Sequence, residues 1–196
     1  MSALRCLAFA SLLAATAAVQ AAPATYTLDP DHTQVQLTWN HFGYSNPSAN
    51  IGLGSGTLEF DPAHPERAWV QVSLQLSTLD THVPALDSHL QQADFFDAAR
   101  FPQATFKSTR VQALGGQKFK ISGELSVHGV TRPIVLDATL NRVGVHPMTK
   151  VQSIGFDATT QLKRSDFGVG AYVPDVSDEV RVHITTEGAV VAAAKP

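Results

Sequence analysis

Apolar and polar residues alternate along most of this chain with a period of two. In Val35-Gln36-Leu37-Thr38-Trp39 the apolar side chains share one parity. In Val70-Gln71-Val72-Ser73-Leu74-Gln75-Leu76-Ser77 four apolar residues alternate with four polar ones. Phe119-Lys120-Ile121-Ser122 continues to Leu125-Ser126-Val127 with its parity kept across Gly123. Ile134, Leu136, Ala138 and Leu140 repeat the pattern, as do Ile154, Phe156 and Ala158. Val180, Val182 and Ile184 close the series, with Arg181 and His183 facing the other way. Successive side chains on a strand point to opposite faces, so each run predicts a strand with one dry and one wet face.

Residues 26–28, 57–60 and 105–111 bring the expected number to eight or nine strands. Asp61-Pro62, Gly115-Gly116 and His146-Pro147 supply turn chemistry between runs. Strands do not alternate with helices, which predicts an antiparallel sheet rather than parallel βαβ units. One segment breaks the period. Leu86, Leu90 and Ala93 fall at helical spacing and Pro84 suits a first helical position, so residues 84–94 are expected to form one short inserted helix. No internal repeat or linker divides the chain. Alternation fits a sandwich and a barrel equally well. An eight-stranded barrel has room for packed side chains or one small ligand, which makes the inward residues the functional question.

Residues 1–21 have the pattern of a cleaved secretory signal. Arg5 provides the positive start, Cys6 to Val19 carries no charge, and Val19-Gln20-Ala21 offers small residues for cleavage. Export to the periplasm is therefore expected, leaving 22–196 as a single domain. Cys6, the one cysteine, leaves with the signal, so the mature chain needs no oxidative chemistry to fold.

Composition narrows the function classes. The 196 residues are 44% hydrophobic and 16% charged, which suits a globular core. Fourteen Lys+Arg against 17 Asp+Glu is a poor basis for phosphate neutralisation, so no nucleic-acid partner is expected. Eight histidines raise a metal hypothesis, but they form no HxH, HExxH or helical i,i+4 pair, and no metal site is expected. The serines lack a GxSxG elbow. Gly52-Leu53-Gly54-Ser55-Gly56 lacks the Lys-Ser/Thr of a phosphate loop and reads as a tight connection or bulge near a strand start. Carboxylate pairs such as Asp29/Asp31, Asp94/Asp97 and Asp178/Glu179 sit in turn-like contexts, so no catalytic residue is assigned. Aromatic residues say more. Phe95, Phe96, Phe101 and Phe106 cluster just after the expected helix, and Trp39 and Phe42 bracket His41. Such rings serve a core or line the mouth of an apolar pocket.

These residues lie within longer recognisable motifs. Tyr26-Thr27-Leu28-Asp29-Pro30-Asp31-His32-Thr33 is followed by Trp39-Asn40-His41-Phe42-Gly43. Asp87-Ser88-His89-Leu90 runs through Asp94-Phe95-Phe96-Asp97 to Phe101-Pro102. Gly123-Glu124-Leu125-Ser126-Val127-His128-Gly129-Val130-Thr131-Arg132-Pro133 and Arg164-Ser165-Asp166-Phe167-Gly168 complete the order. Together they resemble the YceI-like family of exported polyisoprenoid-binding proteins.

The resemblance implies an all-β, antiparallel, eight-stranded lipocalin-like barrel with one short helix. Its elongated cavity would hold an isoprenoid lipid, a polyprenyl phosphate or an isoprenoid quinone, with no other cofactor and no turnover. Transient contact with a membrane or membrane proteins follows for such a ligand, and oligomeric state stays open. On this reading inward parity selects Val35, Leu37, Trp39, Val72, Leu74, Leu76, Ile121, Leu125, Ile154 and Phe156 as tail-lining residues. Phe42, Leu90, Phe95, Phe96 and Phe167 are expected at the mouth, and His41, Asp87, His89 and Arg164 around the head group. For Arg164, a ligand contact and a turn-capping role are both open. Two other readings stand beside this one: a metal-dependent or stress-response enzyme using His41, His89 and His128, and a filled structural barrel acting through protein partners.

Overall fold

A computed structural model describes residues 23–190; the signal expected over 1–21 lies outside them. The elements in chain order are β1 (Ala24–Leu28), β2 (Gln34–Thr38), β3 (Ser48–Phe60), β4 (Trp69–Asp80), α1 (Pro84–Leu90), β5 (Gln103–Gly115), β6 (Lys118–Val127), β7 (Val130–Val145), β8 (Gln152–Lys163) and β9 (Glu179–Val190). Nine strands make an eight-position ring. Both β1 and β2 pair antiparallel with β3 and with β9, β1 at Thr57 to Phe60 and β2 at Ser48 to Gly52 of the same β3 strand. They are two lengths of one stave, interrupted by residues 29–33. The remaining strands pair in sequence order from β2 to β9 and back to β2, closing an antiparallel up-and-down barrel. Closure leaves no long unpaired edge, and it decides the sandwich-or-barrel question.

Several strands are longer than their alternating runs because bulges reset the parity. Along β3 the buried residues are Ala49, Ile51 and Leu53, then Gly56, Leu58 and Phe60, with a register shift against β4 at Leu53/Ser55. An inserted residue turns the following side chains to the opposite face, so strict alternation ends there although the strand does not. The Gly52–Gly56 segment is therefore a bulge in mid-strand, not a tight connection near a strand start. The same device separates Ser108 from Val111 in β5 and Leu140 from Val143 in β7.

Loops 39–47, 81–102, 128–129 and 164–178 gather at one end of the barrel, here termed the mouth. His128 and Gly129, at φ 52° and 73°, form the two-residue hairpin between β6 and β7, where both positions need left-handed backbone. Helix α1 begins with Pro84 in its first turn but ends at Leu90, short of the expected Asp94. Beyond it the Phe96 N–H donates to the Leu90 carbonyl and the Asp97 N–H to the Gln92 carbonyl, which folds the chain back across the mouth.

Candidate functional site

The inward residues do not fill the barrel. A cavity of about 230 Å³ runs inside it, and a second chamber of about 470 Å³ lies at the mouth. Leu37, Phe96, Arg164, Val169 and Val180 belong to both walls, so the two spaces meet at this waist. The packed structural barrel expected as an alternative is thus corrected: bulky side chains on alternate positions leave the bore of eight staves partly open.

The threonine hydroxyls and the indole N–H of the inner wall are engaged within the protein. Thr33 Oγ1 and Thr186 Oγ1 share a hydrogen bond of 2.8 Å, and the Thr160 hydroxyl donates to the Val135 carbonyl at 2.8 Å. Trp69 Nε1 donates outward to Glu59 at 2.8 Å. The inner chamber therefore offers apolar contact and little else. Its floor is aromatic. Phe60 from β3, Phe119 from β6 and Phe156 from β8 meet edge-to-face with centroids 5.8–6.2 Å apart.

The outer chamber is built by three mouth segments. Leu86 and Leu90 of α1 face it, and Phe95 and Phe96 follow where the chain folds back. His41 and Phe42 come from the loop after β2, which is tied to loop 164–178 by the Phe42 N–H donating to the Asp175 carbonyl at 2.9 Å. His89 stands edge-on to Phe95 at 5.0 Å, and Phe95 stacks on Tyr172 at 6.1 Å. His89 Nε2 lies 3.3 Å from Asp94.

Loop 164–178 roofs the waist, and Arg164 organises it. Its Nε donates to the Ser177 carbonyl, Nη1 to those of Val169 and Ala171, and Nη2 to that of Val176, all within 2.7–2.9 Å. Four of its five N–H groups are thus engaged by backbone, and burial lowers its pKa from the ordinary value. Asp178 stands beside it. Partial burial pushes that carboxyl upward, but hydrogen bonds from the Ser165 N–H and hydroxyl and the charge of Arg164 hold it below the usual carboxylate range.

The YceI-like domain pattern matches residues 26–188, essentially the whole barrel. The chain belongs to the YceI-like family. It is 35% identical to Protein YceI of Salmonella agona over 180 residues, covering 92% of this chain and 93% of that protein. A crystal structure of the Campylobacter jejuni YceI protein superposes with a TM-score of 0.69 at 30% identity, over 78% of this chain and 90% of that one. A Saccharophagus degradans domain described as polyisoprenoid binding shares the fold, with a TM-score of 0.63 at 14% identity over 86% and 99% of the two chains.

Within this YceI-like barrel, Val35, Leu37, Val72, Leu74, Leu76, Ile121, Leu125 and Phe156 line the inner chamber. Trp39, one residue past β2, lines the outer chamber with Phe42, Leu90, Phe95, His41 and His89. Phe96 touches both chambers, while Phe167 is buried and faces the inner one instead of the mouth. Three further expectations need correction. Ile154 points inward but lies in the packed core outside both cavity walls. Asp87 is not at the cavity: its Oδ1 accepts from the Thr81 N–H at 2.7 Å and hydroxyl at 2.6 Å, locking α1 to the end of β4. Arg164 borders the cavity, yet its fork is committed to the loop backbone rather than held out for a head group.

The histidines proposed for an enzyme are dispersed as well. His41 and His89 face the outer chamber, whereas His128 packs edge-on to Phe101 at 5.2 Å. Among the described residues no three His, Cys, Asp or Glu side chains are placed to hold a metal ion. Residues missed by the sequence reading include Phe60 and Phe119 in the floor and Val169 and Tyr172 in the roof. Phe119 shares the parity of Ile121 and was legible as inward. Val169 and Tyr172 lie in a loop without periodicity, where no such signal exists.

Proposed function

We propose that this protein is a periplasmic, non-catalytic binder and carrier of an isoprenoid lipid, with the tail in the inner chamber and the head group in the outer one. The observation that carries this reading is the inner chamber itself, an apolar bore whose wall hydroxyls and indole N–H are already bonded within the protein. Such a wall stabilises an apolar chain by about 25 cal/mol per Å² removed from water and gains nothing from a polar one. The description of the S. degradans domain agrees with it. The signal-like pattern of residues 1–21 supports export. Exchange of the lipid would take place by transient contact with a membrane or a membrane protein.

The charge inventory favours a neutral quinone over a polyprenyl phosphate. The mouth loops hold Asp87, Asp94, Asp97, Asp166, Asp175 and Asp178 against Arg100 and Arg164. Arg100 pairs with Asp97 at 3.2 Å, and Arg164 is taken up by carbonyls. A dianionic head would enter loops of its own net sign, whose two arginines already have partners within the protein. A quinone oxygen needs only a donor such as His41 or His89. Native mass spectrometry of protein purified without denaturation tests the proposal, with an added mass of an isoprenoid quinone expected. Protein recovered empty that also ignores added prenyl quinones and prenyl phosphates would overturn it.

A further inference from the structure

Three aromatic rings meet across the bore toward the end of the barrel remote from the mouth. Phe60, Phe119 and Phe156 come from β3, β6 and β8, none of which neighbours another in the ring. Rings that start from separated staves and still meet at 5.8–6.2 Å must cross the bore. All three line the inner chamber. Tyr26, Leu140 and Ile154 belong to the same core cluster but to neither cavity wall. The three rings therefore meet across the bore toward the end remote from the mouth, beside side chains that are packed and line neither chamber.

We infer that this triad is a length gauge, setting the longest isoprenoid tail that binds with full benefit. The inference rests on the reading of the cavity as an isoprenoid site. With the head group kept in the outer chamber, each isoprene unit added to the tail moves its end toward the floor. Affinity rises while new units find apolar wall and stops rising when the end meets the rings, because further units remain in water. Phe156 is the member to change. It is only partly buried, whereas Phe60 and Phe119 are almost fully enclosed and carry more of the packing. The other wall residues bound the tail laterally and set its fit along the way, not its reach.

The test uses prenylated benzoquinones differing by one isoprene unit. Quinone quenching of tryptophan fluorescence reports binding, since Trp39 lines the outer chamber and Trp69 the inner. The wild-type protein should gain affinity with each unit up to a plateau. Phe156→Ala should extend the rise by at least one unit, with about tenfold tighter binding at the first length beyond the wild-type plateau. Phe156→Leu, a milder change that keeps the core filled, should shift it in the same direction. Phe156→Trp should end the rise one unit sooner. An identical plateau in wild type and all three folded variants overturns the gauge while leaving the isoprenoid reading intact. If the wild-type protein binds no member of the series, both fall together.

Discussion

Arg164 donates from Nη1 to the carbonyl of Val169 at 2.7 Å, and the buried side chain of Val169 forms part of the waist between the two chambers. One guanidinium thus folds loop 164–178 into a roof. Arg164→Ala should cost about 2–4 kcal/mol in chemical denaturation, because four carbonyls lose a cationic donor together. Arg164→Lys should recover little of it, since a single ammonium cannot span carbonyls on four residues. Binding of neutral and phosphorylated prenyl ligands should weaken alike in both variants. Selective loss of the phosphate ligand would instead mark Arg164 as a head-group contact.

Phe96 touches both chambers, so a charge there sits in the path of the tail. Phe96→Asp should lower affinity for a prenyl quinone about a hundredfold or more, since the tail would have to strip water from a carboxylate. Circular dichroism should stay that of the wild-type barrel, because the outer chamber lets water reach the new group. Fluorescence titration and the spectrum together check both halves of this expectation.

Leu28 of β1 packs closely over Gly56 of the bulged β3. A Cβ on Gly56 would fall 2.7 Å from Leu28 Cδ1 and 3.0 Å from its Cβ. Neither β1 nor β3 can retreat without breaking their pairing. Gly56→Ala is therefore expected to destabilise the protein by about 1–3 kcal/mol, measured as a lower denaturation midpoint with an unchanged slope.

Asp178 ties the start of the roof loop to its end through Ser165. Its pKa is lower when folded than when unfolded, so the unfolded chain takes up the proton first. Its contribution is present above the ordinary carboxylate pKa and fades as the pH falls through the lower folded value. Asp178→Asn should accordingly lose of order 1 kcal/mol at neutral pH, a modest figure because solvent reaches the group. The difference between variant and wild type should shrink toward zero in acid. A constant difference across that range would contradict the linkage.

Much of the barrel was legible because a strand with one wet face repeats every two residues. Val35 and Leu37, Val72 and Leu74, and Ile121 and Leu125 could be assigned to one inward face before any pairing was known, and they line the inner chamber together. The break at 29–33 and the bulges in β3, β5 and β7 hid part of that pattern, since each resets the parity on which the reading depends. The expected helix ran too far because Ala93 kept helical spacing after hydrogen bonds had already turned the chain at Leu90.

The polar mouth was far less legible. Asp87, His89 and Arg164 look alike as charged or hydrogen-bonding residues in recognisable motifs, yet one locks a helix, one faces the chamber and one folds a loop. A polar side chain takes its role from whichever partner lies within about 3 Å, and those partners come from distant parts of the chain. Alternation along the chain was enough to define strands and their dry face. Whether that dry face closed on itself, how far the bore stayed hollow and which donors remained for a ligand depended on strands separated in sequence meeting across the barrel.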